Sequence, residues 1–225
     1  MARRLKRRVA RVAYGPRLVI MAKMPKAGRV KRRLARDIGG TAATRFARLC
    51  LAHTLARLGV NPRWETYLAA APDPEAGASL GSANALRIER LRQGAGDLGQ
   101  RMQRIFQRLP PGPAIIVGGD IPAIAASDIA SAFRLLGNAD VVLGPALDGG
   151  YWLVGMKRSP RVLSLFSGVR WSSPQALADT LKNLKGRRVA FAATLGDVDT
   201  GDDCARLGAA WQRLIPPRRG RPRPA

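Results

Sequence analysis

The sequence predicts an α/β protein, a mostly parallel sheet covered by helices on both faces. Three observations lead there. Strand-like runs alternate with helical ones almost throughout, as in chains whose parallel strands are joined by crossover helices. The run from Ala114 to Val117 is rich in β-branched residues, shows no polar alternation and stops at Gly118-Gly119, as a strand buried on both faces does. Two apolar stretches, AIIVGGDIPAI and ADVVLGPALDGGYWLVGM, each carry an aspartate beside glycine, Asp120 and Asp148. Ligands of open α/β sheets collect beyond the strand ends, where loops vary while the sheet stays fixed.

In chain order, RLVIMA from Arg17 to Ala22 reads as the first strand. A basic loop, KMPKAGRVKRRLA, then leads into a helix; Lys23, Gly28, Lys31 and Arg33 belong to it. A glycine-containing strand-to-helix turn exposes backbone N–H groups at the positive end of a helix, which suits a phosphate, although the spacing matches neither the Walker nor the dinucleotide pattern. Thr41 to Leu58 carries apolar residues at helical spacing and includes the one histidine, His53, expected as a packed helix residue. Arg63 to Ala71 reads as a strand, Pro72 to Gly81 as a loop with room for a short helix, and Leu86 to Leu91 as a further strand.

QGAGDLGQRM opens the next helix with Asp97 at the cap position, where capping and a substrate-facing role are equally open. After the central strand, Ser127 to Leu136 reads as a helix started by Ser127 and Asp128. Asp140 to Leu143 and Tyr151 to Met156 read as strands. The loop FSGVRWSSP precedes a helix that Ser172 or Ser173 would cap. A last strand, Arg188 to Thr194, runs into Asp197, Asp199, Asp202 and Asp203. The last two of these suit the first turn of a final helix. Asp197 and Asp199, two apart, point the same way if extended, and with Asp120 make an oxygen cage for magnesium or manganese.

At 225 residues the chain is long enough for one well-buried domain, expected over 17–215. Residues 1–16 and 216–225 are basic tails, and no apolar run approaches the roughly 20 residues of a membrane span. The formal net charge is +24, with 11 of those units in the first 17 and last ten residues. Such a field attracts nucleic acid, anionic lipid or phosphorylated small molecules alike. The tails admit a nucleic-acid-binding reading, not favoured because Tyr14 is their only aromatic residue for stacking. Two distant cysteines, Cys50 and Cys204, fit neither a metal pattern nor a disulfide framework, so a cytoplasmic location is expected. With one histidine on a helix face, the chain offers no obvious Ser-His-Asp or Cys-His site.

The motifs AKMPKAGRVKRRLA, AGDLGQRM, GGDIP, GPALDGGYWLVG, WSS and DVDT occur in the order found in a bacterial family. That family was long filed as a domain of unknown function and later labelled radical-SAM/selenodomain-associated transferase 1, or glycosyltransferases linked to arsenosugar biosynthesis. The chain resembles this family over nearly all of residues 17–212. More distantly it resembles the guanylyltransferases that make 2-phospho-lactate and molybdenum cofactor derivatives. The resemblance implies a single-domain, three-layer α/β/α sandwich of the glycosyltransferase-A, nucleotide-diphospho-sugar transferase type. It further implies a transferase taking a nucleotide or nucleotide-sugar donor and a small-molecule acceptor with Mg²⁺ or Mn²⁺, by glycosyl or, alternatively, nucleotidyl transfer.

Residue by residue, the resemblance places Lys23, Gly28, Lys31 and Arg33 around the nucleotide phosphates, with Asp97 on the same side. It places Asp120, Asp197 and Asp199 at the metal. Asp148 would orient the acceptor or act as base, with Gly149, Gly150, Tyr151, Trp171 and Ser172 on the acceptor side. Arg32, Gly119 and Ile121 depart from the residues usual in the family. A transferase fold that has lost catalysis and only binds a nucleotide or a partner is the remaining alternative.

Overall fold

The computed structural model describes residues 14–73, 88–159, 161–208 and 211. Seven strands lie among these described residues: β1 (Arg17–Lys23), β2 (Glu65–Ala71), β3 (Glu89–Arg92), β4 (Ala114–Gly118), β5 (Val141–Pro145), β6 (Tyr151–Met156) and β7 (Val189–Phe191). They form one sheet in the order β3-β2-β1-β4-β6-β5-β7. Every pairing is parallel except the two made by β6, which runs against β4 and β5. A reversed β6 follows from the five residues between β5 and β6, too few for a crossover helix but enough for a hairpin.

Six helices among the described residues complete the layers: α1 (Arg32–Ile38), α2 (Gly40–Leu58), α3 (Leu98–Arg108), α4 (Ala126–Asn138), α5 (Ala176–Lys182) and α6 (Gly201–Ala205). Successive strand residues point to opposite faces. Leu18 and Ile20 therefore pack with Leu51 and Leu55 of α2 and Ile129 and Leu136 of α4 on one face. Val19 and Ile116 pack with Met102, Ile105 and Phe106 of α3 and, more peripherally, Leu177 and Leu181 of α5 on the other. A third cluster joins Leu34 of α1, Phe46 and Cys50 of α2, Val198 and Cys204. It fastens the DVDT segment to α1 and α2, the helices that follow the basic loop. The result is the three-layer, mostly parallel α/β/α sandwich expected.

Local boundaries differ from the sequence reading for identifiable reasons. The strand expected from Arg63 begins at Glu65, because Arg63 sits in a turn where Asn61 Oδ1 accepts from its backbone N–H. The strand expected over Leu86 to Leu91 is observed from Glu89, residues 86 and 87 lying outside the described residues. Most of the loop at 72–81, residues 1–13 of the N-terminal tail and the whole C-terminal tail lie outside them too. Helix α4 begins one residue before Ser127, and Asp128 bonds back to the Ala125 N–H. Neither Ser172 nor Ser173 caps α5. Its N-cap is Gln175, and Ser173 instead donates to the Arg170 carbonyl in the turn before it. The strand expected to reach Thr194 stops at Phe191, although Ala192 and Leu195 still donate to carbonyls of β5's edge.

Candidate active site

A cleft of about 1000 Å³ runs across the sheet edge at which β1 and β4 end and β6 begins. Into it the fold brings most of the residues singled out in the sequence: Lys23, Lys31, Arg33, Asp97, Asp120, Asp148, Gly150, Tyr151, Trp171, Ser172, Asp197 and Asp199. Gly28 and Gly149 do not line it. They shape what does: Gly28 turns the basic loop at φ 72°, and Gly149 turns the hairpin at φ 84°, each in the left-handed region where glycine is at ease.

Asp120 stands just past β4, while Asp197 and Asp199 follow β7 and are held down by buried Val198 between them. One carboxylate oxygen from each of the three lies within 4.8 Å of the others. Burial pushes the Asp197 carboxyl up to about 6, Asp199 adds to that, Lys31 opposes it, and Asp120 and Asp148 add less. Three hard oxygen donors at this separation fit a divalent cation such as Mg²⁺ or Mn²⁺. The donor set lacks the nitrogen or sulfur ligands of a structural zinc site.

Lys31 fills the space between two of these acids. Its Nζ donates to Asp120 Oδ2 at 2.6 Å and to Asp199 Oδ1 at 2.8 Å, and its side chain is 7% exposed. Burial works against the ammonium, yet the two carboxylates more than offset it and raise the lysine above its ordinary value. Arg29, Arg32 and Arg33 around it remain exposed and line the cleft mouth.

Asp97 is the N-cap of α3. Its Oδ1 accepts from Gln100 N at 2.8 Å while Gln100 Oε1 accepts from Asp97 N, a capping box that accounts for this residue locally. Asp148 is exposed on the β5–β6 hairpin, with Oδ1 accepting from Gly150 N at 2.9 Å. Behind it, Tyr151 and Trp171 meet edge to face at 6.2 Å, and Trp171 also leans on Phe166. Burial raises the Tyr151 phenol well above its ordinary value, so it stays protonated. Ser172 sits at φ 56° and is exposed toward the cleft.

Sequence reasoning missed Gln93. This residue lines the cleft yet is 4% exposed. Its Nε2 donates to the carbonyls of Ala69 at 2.6 Å and Ala22 at 3.3 Å, the ends of β2 and β1. Both partners are acceptors, so the amide is oriented with Oε1 the other way, and no donor among the described residues meets that oxygen. The loop is braced from behind. Asp73 accepts from Gln93 N and Gly94 N, and Arg104 donates to the carbonyls of Gln93 and Ala95. The glutamine that opens QGAGD was the available signal, but a single polar residue before glycine is too common to single out.

The remaining chemistry-bearing side chains stand apart from catalysis. Burial pushes the Cys50 thiol up to about 12, with Asp120 adding, so it is no nucleophile at neutral pH. His53 pairs with Arg57 and meets the Trp211 ring edge to face, a packed helix residue as expected. Among the described residues no helix is long and apolar enough to cross a membrane.

Comparison with known proteins matches this architecture. A crystal structure of a candidate nucleotide-diphospho-sugar transferase from Desulfovibrio desulfuricans G20 superposes with a TM-score of 0.78 at 25% identity, covering 89% of this chain and 91% of that one. The 4-diphosphocytidyl-2C-methyl-D-erythritol synthase of Anaerococcus prevotii aligns with a TM-score of 0.55 at 12% identity, over 85% of this chain and 93% of its own. A cytidylyltransferase from Leptospira borgpetersenii aligns at 0.54 and 15% identity, over 90% and 92%. At those lower identities the likeness is one of fold. No curated protein matches the chain. Residues 54–173, just over half of the sequence, match the family described as "Uncharacterized protein conserved in bacteria (DUF2064)". By this match the chain belongs to the DUF2064 family.

Proposed function

We infer that this protein is a metal-dependent transferase that takes a nucleotide or nucleotide-sugar donor and moves a glycosyl group to a small-molecule acceptor in the cytoplasm. The observation that carries the reading is the meeting of Asp120, Asp197 and Asp199, from two distant strand ends, in a cleft otherwise ringed by lysine and arginine. Likeness to the Desulfovibrio protein and resemblance to the radical-SAM/selenodomain-associated transferases support the same class. Asp120, Asp197 and Asp199 would hold Mg²⁺ or Mn²⁺, which supplies charge neutralisation at the donor phosphates as the leaving group departs.

The chain's own residues then divide the cleft. Lys23 at the end of β1, Lys31 on the loop that Gly28 turns and Arg33 at the start of α1 offer cations to the phosphates. Gln93 reaches over the ends of β2 and β1, one to two strand spacings (about 5–10 Å) from β4, and turns a fixed acceptor toward a nucleobase N–H. At the other end, Gly149 and Gly150 hold Asp148 at the hairpin tip, where it orients the acceptor hydroxyl or takes its proton. Tyr151, Trp171 and Ser172 form the acceptor wall. Positioning and electrostatics do the work, without a covalent intermediate.

The test is product analysis by mass spectrometry, with a panel of nucleotide sugars and nucleoside triphosphates, Mn²⁺ and candidate hydroxyl acceptors. Release of a nucleoside diphosphate from a nucleotide sugar supports glycosyl transfer. Pyrophosphate release from a triphosphate assigns nucleotidyl transfer instead. Failure to bind or turn over any member of the panel, with or without metal, contradicts the transferase reading.

A further inference from the structure

Lys31 occupies an unusual position for a residue of a phosphate loop. It is the N-cap of α1 in the left-handed conformation, φ 48° and ψ 50°, which a non-glycine residue adopts only when its surroundings hold it there. Those surroundings are firm. Leu34 is buried against Phe46, Cys50 and Val198, and Asp37 accepts from Gly201 N at 2.8 Å, tying α1 to the start of α6. The backbone turn sends the Lys31 side chain inward while Arg32 and Arg33 face solvent. The ammonium so placed lies within 2.8 Å of two of the three acids that make the cation site.

A divalent cation shared by the three acids would need carboxylate oxygens of Asp120 and Asp199, the two acids the ammonium already engages. Two cations there would repel at short range in a partly buried pocket. The geometry points to Lys31 as the resident counter-cation of the acid cluster, exchanged for the divalent ion and released on exchange toward the donor phosphates. This rests on the metal-dependent reading above and extends it. Metal alone competes with Lys31 for Asp120 and Asp199. A diphosphate gives the displaced ammonium a new partner, so each ligand strengthens the other's binding, and linkage makes the effect reciprocal.

Calorimetric titration of Mn²⁺ into the full-length protein, with and without inorganic pyrophosphate, tests the exchange in wild type, Lys31→Met and Lys31→Arg. Lys31→Met should bind Mn²⁺ alone at least about fivefold more tightly than wild type, within the usual range of coupling factors. Lys31→Arg, which keeps a cation, should stay near wild type. Unchanged or weaker Mn²⁺ binding by Lys31→Met, in a protein whose wild type binds the metal, overturns the exchange and leaves the transferase reading intact. No Mn²⁺ binding by wild type even with pyrophosphate overturns both. Should Lys31→Met fail to fold, amine labelling of wild-type Lys31 read by mass spectrometry decides. Labelling accelerated by Mn²⁺ and slowed again by added pyrophosphate supports the exchange, and labelling indifferent to Mn²⁺ refutes it.

Discussion

Replacing Asp120 by asparagine keeps the side-chain shape and removes one of the three anionic ligands proposed for the metal. In the wild type, a metal–nucleotide complex supplied at about a hundred times its dissociation constant stabilises the folded state by about 2.7 kcal/mol. For a chain of this size each kcal/mol moves the melting temperature by about 2–4 °C, so the expected shift is about 5–11 °C. The variant should still fold. Lys31 keeps Asp199 at 2.8 Å, and the Asp120 side chain is 43% exposed, so the loss stays below the about 3–5 kcal/mol of breaking a fully buried pair. Thermal unfolding by fluorescence, across nucleotide sugars with and without Mn²⁺, reads the difference, and circular dichroism checks the fold. The metal-dependent shift should largely vanish in Asp120→Asn. A variant that keeps the full wild-type shift would refute the placement of the metal at Asp120.

Gln93→Met removes the fixed acceptor and should weaken nucleotide binding by about 1–3 kcal/mol, roughly 5- to 150-fold in dissociation constant, through an unpaired base N–H; unchanged affinity contradicts the base-reading role. Gly149→Ala places a Cβ 2.3 Å from the Pro174 carbonyl oxygen at φ 84°, so it should lower thermal stability by more than about 1 kcal/mol and disturb the Asp148 hairpin; a neutral melting temperature would count against that geometry. Asp179, 7% exposed, is held well below the usual carboxylate range by hydrogen bonds from Arg170 and then Lys182. Its folded value is depressed, so its contribution is present above the unfolded value of about 3.9 and is lost as pH falls below it. Asp179→Asn should therefore flatten the fall in stability below about pH 4; identical wild-type and variant slopes would contradict this linkage.

The layered architecture was legible because its determinants are local. Ala114 to Val117 could only be a buried strand, and Asp97 sits three residues before Gln100 as a capping box requires. The acid cluster was legible for a different reason. Asp120, Asp197 and Asp199 each follow an apolar run, and parallel topology puts such ends on one edge. Less legible were features that depend on what comes to rest beside a residue. Lys31 read as one cation among several in a basic loop, and only the packing of Leu34 and the turn at φ 48° separate it from its exposed neighbours. Gln93 gained meaning once two backbone carbonyls had claimed its amide. The composition of Tyr151 to Met156 suits a buried strand in either direction, so only the short link after β5, too short for a crossover helix, carries the direction of β6. Ser172 and Ser173 carried a cap signal, but the tight turn before α5 uses Ser173 two residues early.

Anomalous diffraction at the manganese edge, from crystals grown with Mn²⁺ and the nucleoside diphosphate giving the largest melting shift, tests the central claim most directly. One strong peak bounded by carboxylate oxygens of Asp120, Asp197 and Asp199, with phosphate oxygens completing the shell and Lys31 moved off the acids, is the expected result. A nucleotide bound in the cleft with no manganese at those three carboxylates, Lys31 still seated between Asp120 and Asp199, would contradict it.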